Sequence, residues 1–380
     1  MPKLTEKKYC NGCSACSSIC PKQAISMQKD RHGFLFPIIN SVICVECGKC
    51  ERTCPVVNPA EEQFLAECYA ARCKDLDLRK QSSSGGIFGL LALNVLRENG
   101  VVYGCALSDE LTAEHIRIEN PEDLIKLQRS KYMQSNIGKT LTSCLEDLNA
   151  GRSVLFSGTP CQIAGLNSFL QKQKFSNLLT VEVICHGAPA PSSFEKYKNE
   201  LENIYQKQMV DYIFRTKKAP CIDSYTSPTA VFADGGQIDL PGIYSDYFFR
   251  AFLNNLNLRE SCYRCQAKNG KSHADITLGD FWGLPGKYNM LNDGYGVSAV
   301  MLHTNLAKKH WNTIAEFLDF LPVTQDEITE NNKAYYSSYK TPHGRWIFMF
   351  CYKFGFKFAL RMTFLFVKIL RKLTFFRRNK

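Results

Sequence analysis

Eight of the 18 cysteines fall into two copies of one spacing. Cys10, Cys13, Cys16 and Cys20 are separated by two, two and three residues and followed by Pro21; Cys44, Cys47, Cys50 and Cys54 repeat the pattern and are followed by Pro55. Three closely spaced thiolates can wrap one cubane cluster, and the fourth, before proline, reaches across to its neighbour. The spacing therefore predicts two [4Fe–4S] clusters. Cys10, Cys13, Cys16 and Cys54 would hold one, and Cys44, Cys47, Cys50 and Cys20 the other. Gly12, Ser14, Ala15 and Gly48 lie between the ligands and let backbone N–H groups approach the sulfurs. Zinc is the competing reading, because Cys-x2-Cys also builds zinc knuckles. It requires neither eight cysteines nor duplicated triplets closed by Cys-Pro.

Two further stretches carry chemistry. SSSGG (82–86) sets three hydroxyls and two glycines ahead of an apolar run. A helix N-terminus presents free N–H groups and glycine permits close approach, so Ser82, Ser83, Ser84, Gly85 and Gly86 could cradle a phosphate. A loop that only caps a helix is the equal alternative. SGTPCQIAG (157–165) puts Thr159 and Cys161 at the carboxyl end of an expected strand; the alternative is a tight turn with a buried cysteine.

The elements that must position these residues follow from the pattern around them. AISM and RHGFLFPII read as a hairpin turning near residues 30–33. Sixty residues bury little apolar area without metal, so clusters would form much of that small core. The body alternates: helix 87–99, strands 101–108 and 113–119, helices 121–128 and 136–149, strand 153–158, helix 162–171 and strand 178–185. Such βα alternation implies a largely parallel sheet with ligands at the carboxyl ends of its strands. After about residue 211 the pattern is mixed, with the apolar run 246–253 and a strand at 274–280. The expected domains are 1–60, 61–210, 211–340 and 341–380.

Composition sets the outer limits. Hydrophobic residues make up 45% and charged residues 22% of 380, which describes a globular chain and not a disordered one. The cysteines are clustered, favouring metal over a disulfide framework. MPKLTEKKYC contains no apolar signal segment, so a reducing, cytoplasmic compartment is expected. Of the net charge of +11, residues 345–380 supply ten Lys or Arg and no acid, leaving +1 on the rest. Nucleic acid is therefore not an expected partner of the body. In the tail, Lys353, Lys357, Arg361, Lys368, Arg371 and Lys372 fall within about 100° of helical arc, with Phe354, Phe364 and Phe375 intruding. The uncharged runs are far shorter than the roughly 18 residues of a membrane span. A basic amphipathic helix on an anionic membrane surface, docking on the body or a partner, and a disordered tail are the three readings.

In order along the chain, SSSGGIFGLLA, SKYMQS, LFSGTPCQIAGL, CHGAP, LRESCYRC and ITLGDFWG resemble the coenzyme F-420 hydrogenase/dehydrogenase beta-subunit family over about residues 65–320. The resemblance is strongest to versions in bacterial polysaccharide loci. It implies an α/β FAD-binding body with a mostly parallel sheet behind a two-cluster ferredoxin-like module; with the tail read as a basic amphipathic C-terminal helix, the expected class is α+β. It also implies an iron–sulfur flavoprotein oxidoreductase taking electrons from ferredoxin or a similar donor and passing them to an organic acceptor. An electron-transfer subunit of a larger complex, or a deazaflavin oxidoreductase, is the alternative. Members lacking the ferredoxin module still carry one [4Fe–4S] cluster, so a third cluster would rest on Cys161, Cys185, Cys262 and Cys265; a structural zinc site and unconnected buried cysteines are the alternatives. Cys68, Cys73, Cys105, Cys144, Cys221 and Cys351 are left as core or surface thiols. For the flavin, the SSSGG loop would cradle the pyrophosphate and Lys131 would balance its charge. Tyr132 and Gln134 would meet ring or ribose, Thr159 would lie at the cofactor, Asp280 would accept from a ribose hydroxyl and Trp282 would stack. His186 is the candidate proton donor, or a hydrogen-bond partner of a cluster sulfur.

Overall fold

The computed structural model describes residues 2–63, 67–217 and 227–378, and side chains as far as residue 372. Cys221 and Lys380 lie outside the described residues. In the N-terminal module, β1 (Ile25–Lys29) pairs antiparallel with β2 (Leu35–Ile39) through a turn in which Asp30 Oδ1 accepts from the backbone N–H groups of His32 and Phe34. The cysteine triplets flank this hairpin, with one-turn helices at Ala15–Ser18 and Lys49–Arg52.

The body begins with β3 (Glu67–Cys73) and α1 (Ile87–Arg97), which starts at Gly86 in a left-handed conformation. Next come β4 (Val101–Leu107), β5 (Ala113–Ile118), α2 (Thr140–Asn149), β6 (Val154–Gly158), α3 (Pro160–Phe169) and β7 (Leu178–Val183). Helix α4 (Pro191–Tyr205) leads to a separate antiparallel sheet of β8 (Met209–Thr216), β9 (Ser227–Phe232) and β10 (Gln237–Asp239). After α5 (Tyr247–Leu253), the chain returns through β11 (Ile276–Asp280), β12 (Ser298–Leu302), α6 (Asn305–Ile314) and β13 (Leu318–Pro322) to the first sheet. It ends in α7 (Arg345–Cys351) and α8 (Phe356–Arg378).

The large sheet has the order β13-β3-β12-β11-β7-β6-β4-β5, so it takes strands from both sides of residue 210. It is mixed, which corrects the expectation of a mostly parallel sheet. Only the β11–β7, β7–β6 and β6–β4 pairs are parallel; the other four are antiparallel. The parallel centre arises where helices cross between strands, whereas β12 returns to β11 through a long loop and needs no crossover.

Alternation along the central strands sorts their side chains onto two faces. Val102, Leu155, Leu179 and Val300 pack under α1 and α6. Val101, Tyr103, Val154, Phe156 and Leu178 pack under α2 and α3. With both faces covered, these strands become continuous apolar runs. Ala15 of the N-terminal module, fully buried, joins the second of these clusters, so the module is seated on the α3 side.

Candidate redox site

The N-terminal thiols line two hollows. Cys10, Cys13, Cys16 and Cys54 line one with about 370 Å³ of empty space, its solvent mouth included. Cys20, Cys44, Cys47 and Cys50 line the other, of about 350 Å³. In each, one thiol comes from the opposite triplet. Gly12 and Gly48 both have a φ of +68°, a left-handed bend that folds the backbone around its hollow. Among the described residues no three His, Cys, Asp or Glu side chains close on one point as a single ion requires. A tetrahedral zinc draws its sulfurs to about 2.3 Å, whereas a cubane spreads four thiolates over a cage. Burial pushes Cys13 up to about 12, and Cys10 and Cys54 push it further in the same direction. Thiols gathered this way need a cationic core before they ionise.

The second set of thiols sits at the carboxyl edge of the parallel strands. Cys161 follows β6 in the first turn of α3, and Cys185 lies two residues beyond β7. Cys262 and Cys265 are carried there by a segment running beside residues 186–190: Ala190 N donates to Asn257 O at 2.8 Å and Arg259 N to Ala188 O at 2.9 Å. Burial raises Cys161 strongly, and Cys265, Cys185 and Cys262 are all near enough to push it up as well. Ala188 N–H points at Cys262 Sγ at 3.3 Å. Lys268, buried, donates to Cys185 O at 2.6 Å and to Ala334 O, setting an ammonium beside the thiols.

Two residues join the sets, and neither carries a sequence signal of its role. Gly165 lies one turn beyond Cys161 on α3; a Cβ there would come 2.7 Å from Cys13 Cβ and 3.0 Å from its sulfur. Only glycine admits this approach. Arg259 is 2% exposed. It donates to Cys10 O at 2.7 Å, Leu35 O at 2.8 Å and Gln134 Oε1 at 2.7 Å, with its guanidinium 4.1 Å from the Phe36 ring centroid. Gln134 in turn donates to Asn11 O at 2.7 Å. Of the residues considered for the flavin, Gln134 thus lies in the seam between module and body.

The polar atoms of the other flavin candidates are taken up within the fold. Ser82 Oγ donates to Leu78 O at 2.8 Å, Ser83 Oγ meets Ser130 Oγ at 2.9 Å, and Ser84 Oγ donates to Val297 O at 3.0 Å. A Cβ on Gly85 would strike Ala71 O at 2.5 Å, so the glycine serves strand packing. Lys131 donates to Lys126 O and Gln128 O, and burial pulls it down to about 8. The Tyr132 ring lies 5.0 Å from Phe249 and 5.1 Å from Phe252. Asp280 accepts from Arg215 at 2.6 Å, and Arg215 lies over half-exposed Trp282. Thr159 donates to Gln162 Oε1 at 3.0 Å and stands 3.3 Å from Cys161 Sγ. His186 is bonded to Asn255 Oδ1 at 2.7 Å and stacked on Tyr339 at 4.1 Å. Burial pulls its imidazole down to about 4, so it is neutral near pH 7.

Basic side chains collect beside the SSSGG loop, and they too are bonded within the fold. Lys217 donates to Ser84 O at 2.5 Å and Tyr295 O at 2.8 Å, and burial pulls it down to about 7. Arg79 Nε and Gln128 Nε2, on either side of the start of α1, are buried donors with no partner among the described residues.

Comparison with known proteins fits this layout. A 4Fe-4S dicluster domain model matches residues 9–58. The models for the N-terminal part and the C terminus of the coenzyme F420 hydrogenase/dehydrogenase beta subunit match residues 68–142 and 151–324. The chain belongs to that family. It is 39% identical over 173 residues to a coenzyme F420-dependent sulfite reductase of Methanocaldococcus jannaschii, covering 43% of this chain and 26% of that protein. It is 23% identical over 204 residues to a subunit of the F(420)H(2) dehydrogenase of Methanosarcina mazei, covering 48% of this chain and 56% of that protein. The chain thus spans about a quarter and about half of these two relatives. A solved structure of the F420-reducing [NiFe] hydrogenase complex from Methanosarcina barkeri aligns at 17% identity with a TM-score of 0.48, over 72% of this chain and 91% of the other.

Proposed function

We propose that this family member is an iron–sulfur flavin oxidoreductase that carries electrons from a low-potential donor such as ferredoxin to an organic acceptor. Cys10, Cys13, Cys16 and Cys54 would hold one [4Fe–4S] cluster, Cys44, Cys47, Cys50 and Cys20 a second, and Cys161, Cys185, Cys262 and Cys265 a third. Lys131, Arg215 and Lys217 would face the pyrophosphate of FAD, with Tyr132, Thr159 and Asp280 around it. When bound, the clusters supply one-electron transfer and the flavin supplies the pairing of two electrons for hydride delivery. The chain's own residues hold these groups close together and half-bury the inner thiols.

The observation that carries this reading is the contact of Cys13 with Gly165, one helical turn from Cys161. It brings the inner N-terminal hollow against the helix that carries Cys161. Anaerobically purified protein should contain about twelve iron and twelve sulfide per chain, falling to about eight in Cys185→Ser. About eight in the native chain would overturn the third centre. Released chromophore should be FAD, and a colourless extract after reconstitution would overturn the flavin.

A second reading is an electron-transfer subunit that serves a separate catalytic protein or reacts with coenzyme F420. The similarity to a dehydrogenase subunit of Methanosarcina mazei favours it. So does the exposure of Cys47 beside Val42, Ile43 and Val45, an apolar face of the kind partners cover. Turnover by the isolated chain, with a glycan intermediate among the acceptors tried, favours the first reading. Obligate co-purification with a catalytic partner favours the second.

A further inference from the structure

The C-terminal helices have two apolar faces, and the body covers only one. On the inner face, Ile347, Phe348 and Met349 of α7 and Phe356, Ala359, Leu360 and Thr363 of α8 are buried. Glu200 accepts from the Phe356 N–H, and Arg250 lies over the Phe364 ring, so this end of the chain is fixed on α4 and α5. On the outer face, Trp346, Phe350, Phe354, Phe358, Met362, Leu365 and Ile369 are all exposed, the first three at 62–64%. They recur every three or four residues. Within α8, at about 100° per residue, the last four occupy an arc of about 60°. Lys357, Arg361, Lys368, Arg371 and Lys372 lie along one edge of that arc, and Lys353 precedes them. No acidic residue occurs anywhere in 345–380.

We propose that this outer stripe is a membrane-binding surface that lies on an anionic lipid leaflet, its aromatic and aliphatic side chains entering the headgroup boundary and its cationic edge meeting lipid phosphates. Charge selects the occupant. A second copy of this chain would bring one cationic edge against another across a desolvated apolar seam. Zwitterionic lipid has no net negative charge to draw the cationic edge to it. An anionic surface satisfies both the apolar stripe and its edge. The helix lies on the surface and does not span it, because no helix among the described residues is long and apolar enough to cross. Its inner face is already packed, so binding costs no folding of the helix, unlike that of a free amphipathic peptide.

The test is co-sedimentation of the full anaerobic protein with phosphatidylcholine vesicles, with and without phosphatidylglycerol. The native chain should sediment only with the phosphatidylglycerol vesicles and be released by raised salt. Phe350→Ser/Phe354→Ser/Phe358→Ser should abolish binding while retaining the brown absorbance of the folded protein. Lys357→Gln and Arg361→Gln should each weaken binding about fivefold. Failure of the native chain to sediment with anionic vesicles would overturn the proposal, as would unchanged binding of the triple variant. A native dimer that the triple variant converts to monomer, with no vesicle binding, would assign the stripe to a second copy instead.

Discussion

Gly165→Ala separates two physical effects by their sign. At an ordinary position inside a helix, alanine is about 1 kcal/mol better than glycine, so α3 alone would gain. The contact with Cys13 acts in the opposite direction. The new Cβ would sit 2.7 Å from Cys13 Cβ and 3.0 Å from its sulfur, where carbon atoms prefer about 3.5–4.0 Å. The module must therefore retreat by about 1 Å, and overpacking of this kind costs about 1–3 kcal/mol. Cys13 cannot turn aside, because it shares its hollow with Cys10, Cys16 and Cys54. The net expectation is a loss of about 1 kcal/mol, a melting point lower by a few degrees, and early bleaching of the visible absorbance on heating. Gly242→Ala, where a Cβ meets nothing within 4 Å, is the control and should be close to neutral. Full iron content together with a raised melting point in Gly165→Ala would show that the approach is not tight and would remove the main support for the proposed route between the two thiol sets.

Three further outcomes follow from buried groups. Arg259→Met leaves Cys10 O, Leu35 O and Gln134 Oε1 without their donor. At about 1–3 kcal/mol for each stranded acceptor, docking should weaken by at least about 3 kcal/mol, and limited proteolysis should release the N-terminal module faster; an unchanged cleavage rate would refute the clasp. His115 is bonded to Ser135 Oγ and Ser157 O, and burial pulls it down from 6.5 to about 4. A depressed histidine binds its proton more readily when unfolded, so its contribution is present above pH 6.5 and lost as pH falls towards 4. The loss is about 3 kcal/mol, and urea midpoints of wild type and His115→Gln should converge over that window; parallel curves would refute it. Lys268→Met removes the ammonium beside Cys185 and should shift the potential of a cluster on that set to more negative values in an anaerobic redox titration, with an unchanged potential counting against the charge argument.

The parts of the fold legible in the sequence are those encoded over short distances. Cysteine spacing and the two Cys-Pro endings point to two hollows, and the turn near Gly33 points to the hairpin between them. The alternation from Ile87 to Val183 delivers the helices and the parallel centre. Periodicity does not distinguish parallel from antiparallel pairing in a fully buried strand such as Ser298–Leu302, where every residue is buried, and so the sheet reads as more parallel than it is. The SSSGG loop shows the same limit. Its serines look like phosphate ligands because Ser130 and Val297, which engage Ser83 and Ser84, are 47 and 213 residues away in sequence. In the tail, the charge pattern reveals the cations, but only packing reveals that the helix hides one apolar face and exposes another.

Arg259 ties the position of the N-terminal module to its charge. Thiolates in a low-dielectric interior need nearby positive charge, yet residues 1–344 have almost none in excess. Placement must therefore supply what total charge does not. Lys268 does this on one side of the inner thiols. Arg259 adds to it, its charge pulling Cys262 down against the upward push of burial. The same guanidinium holds the carbonyls of Cys10 and Leu35. One side chain thus eases the ionisation of Cys262 against burial and fastens the module that carries the first set. Detachment of the module would turn that guanidinium loose, so loss of docking and loss of the inner thiolates should be coupled and not independent failures.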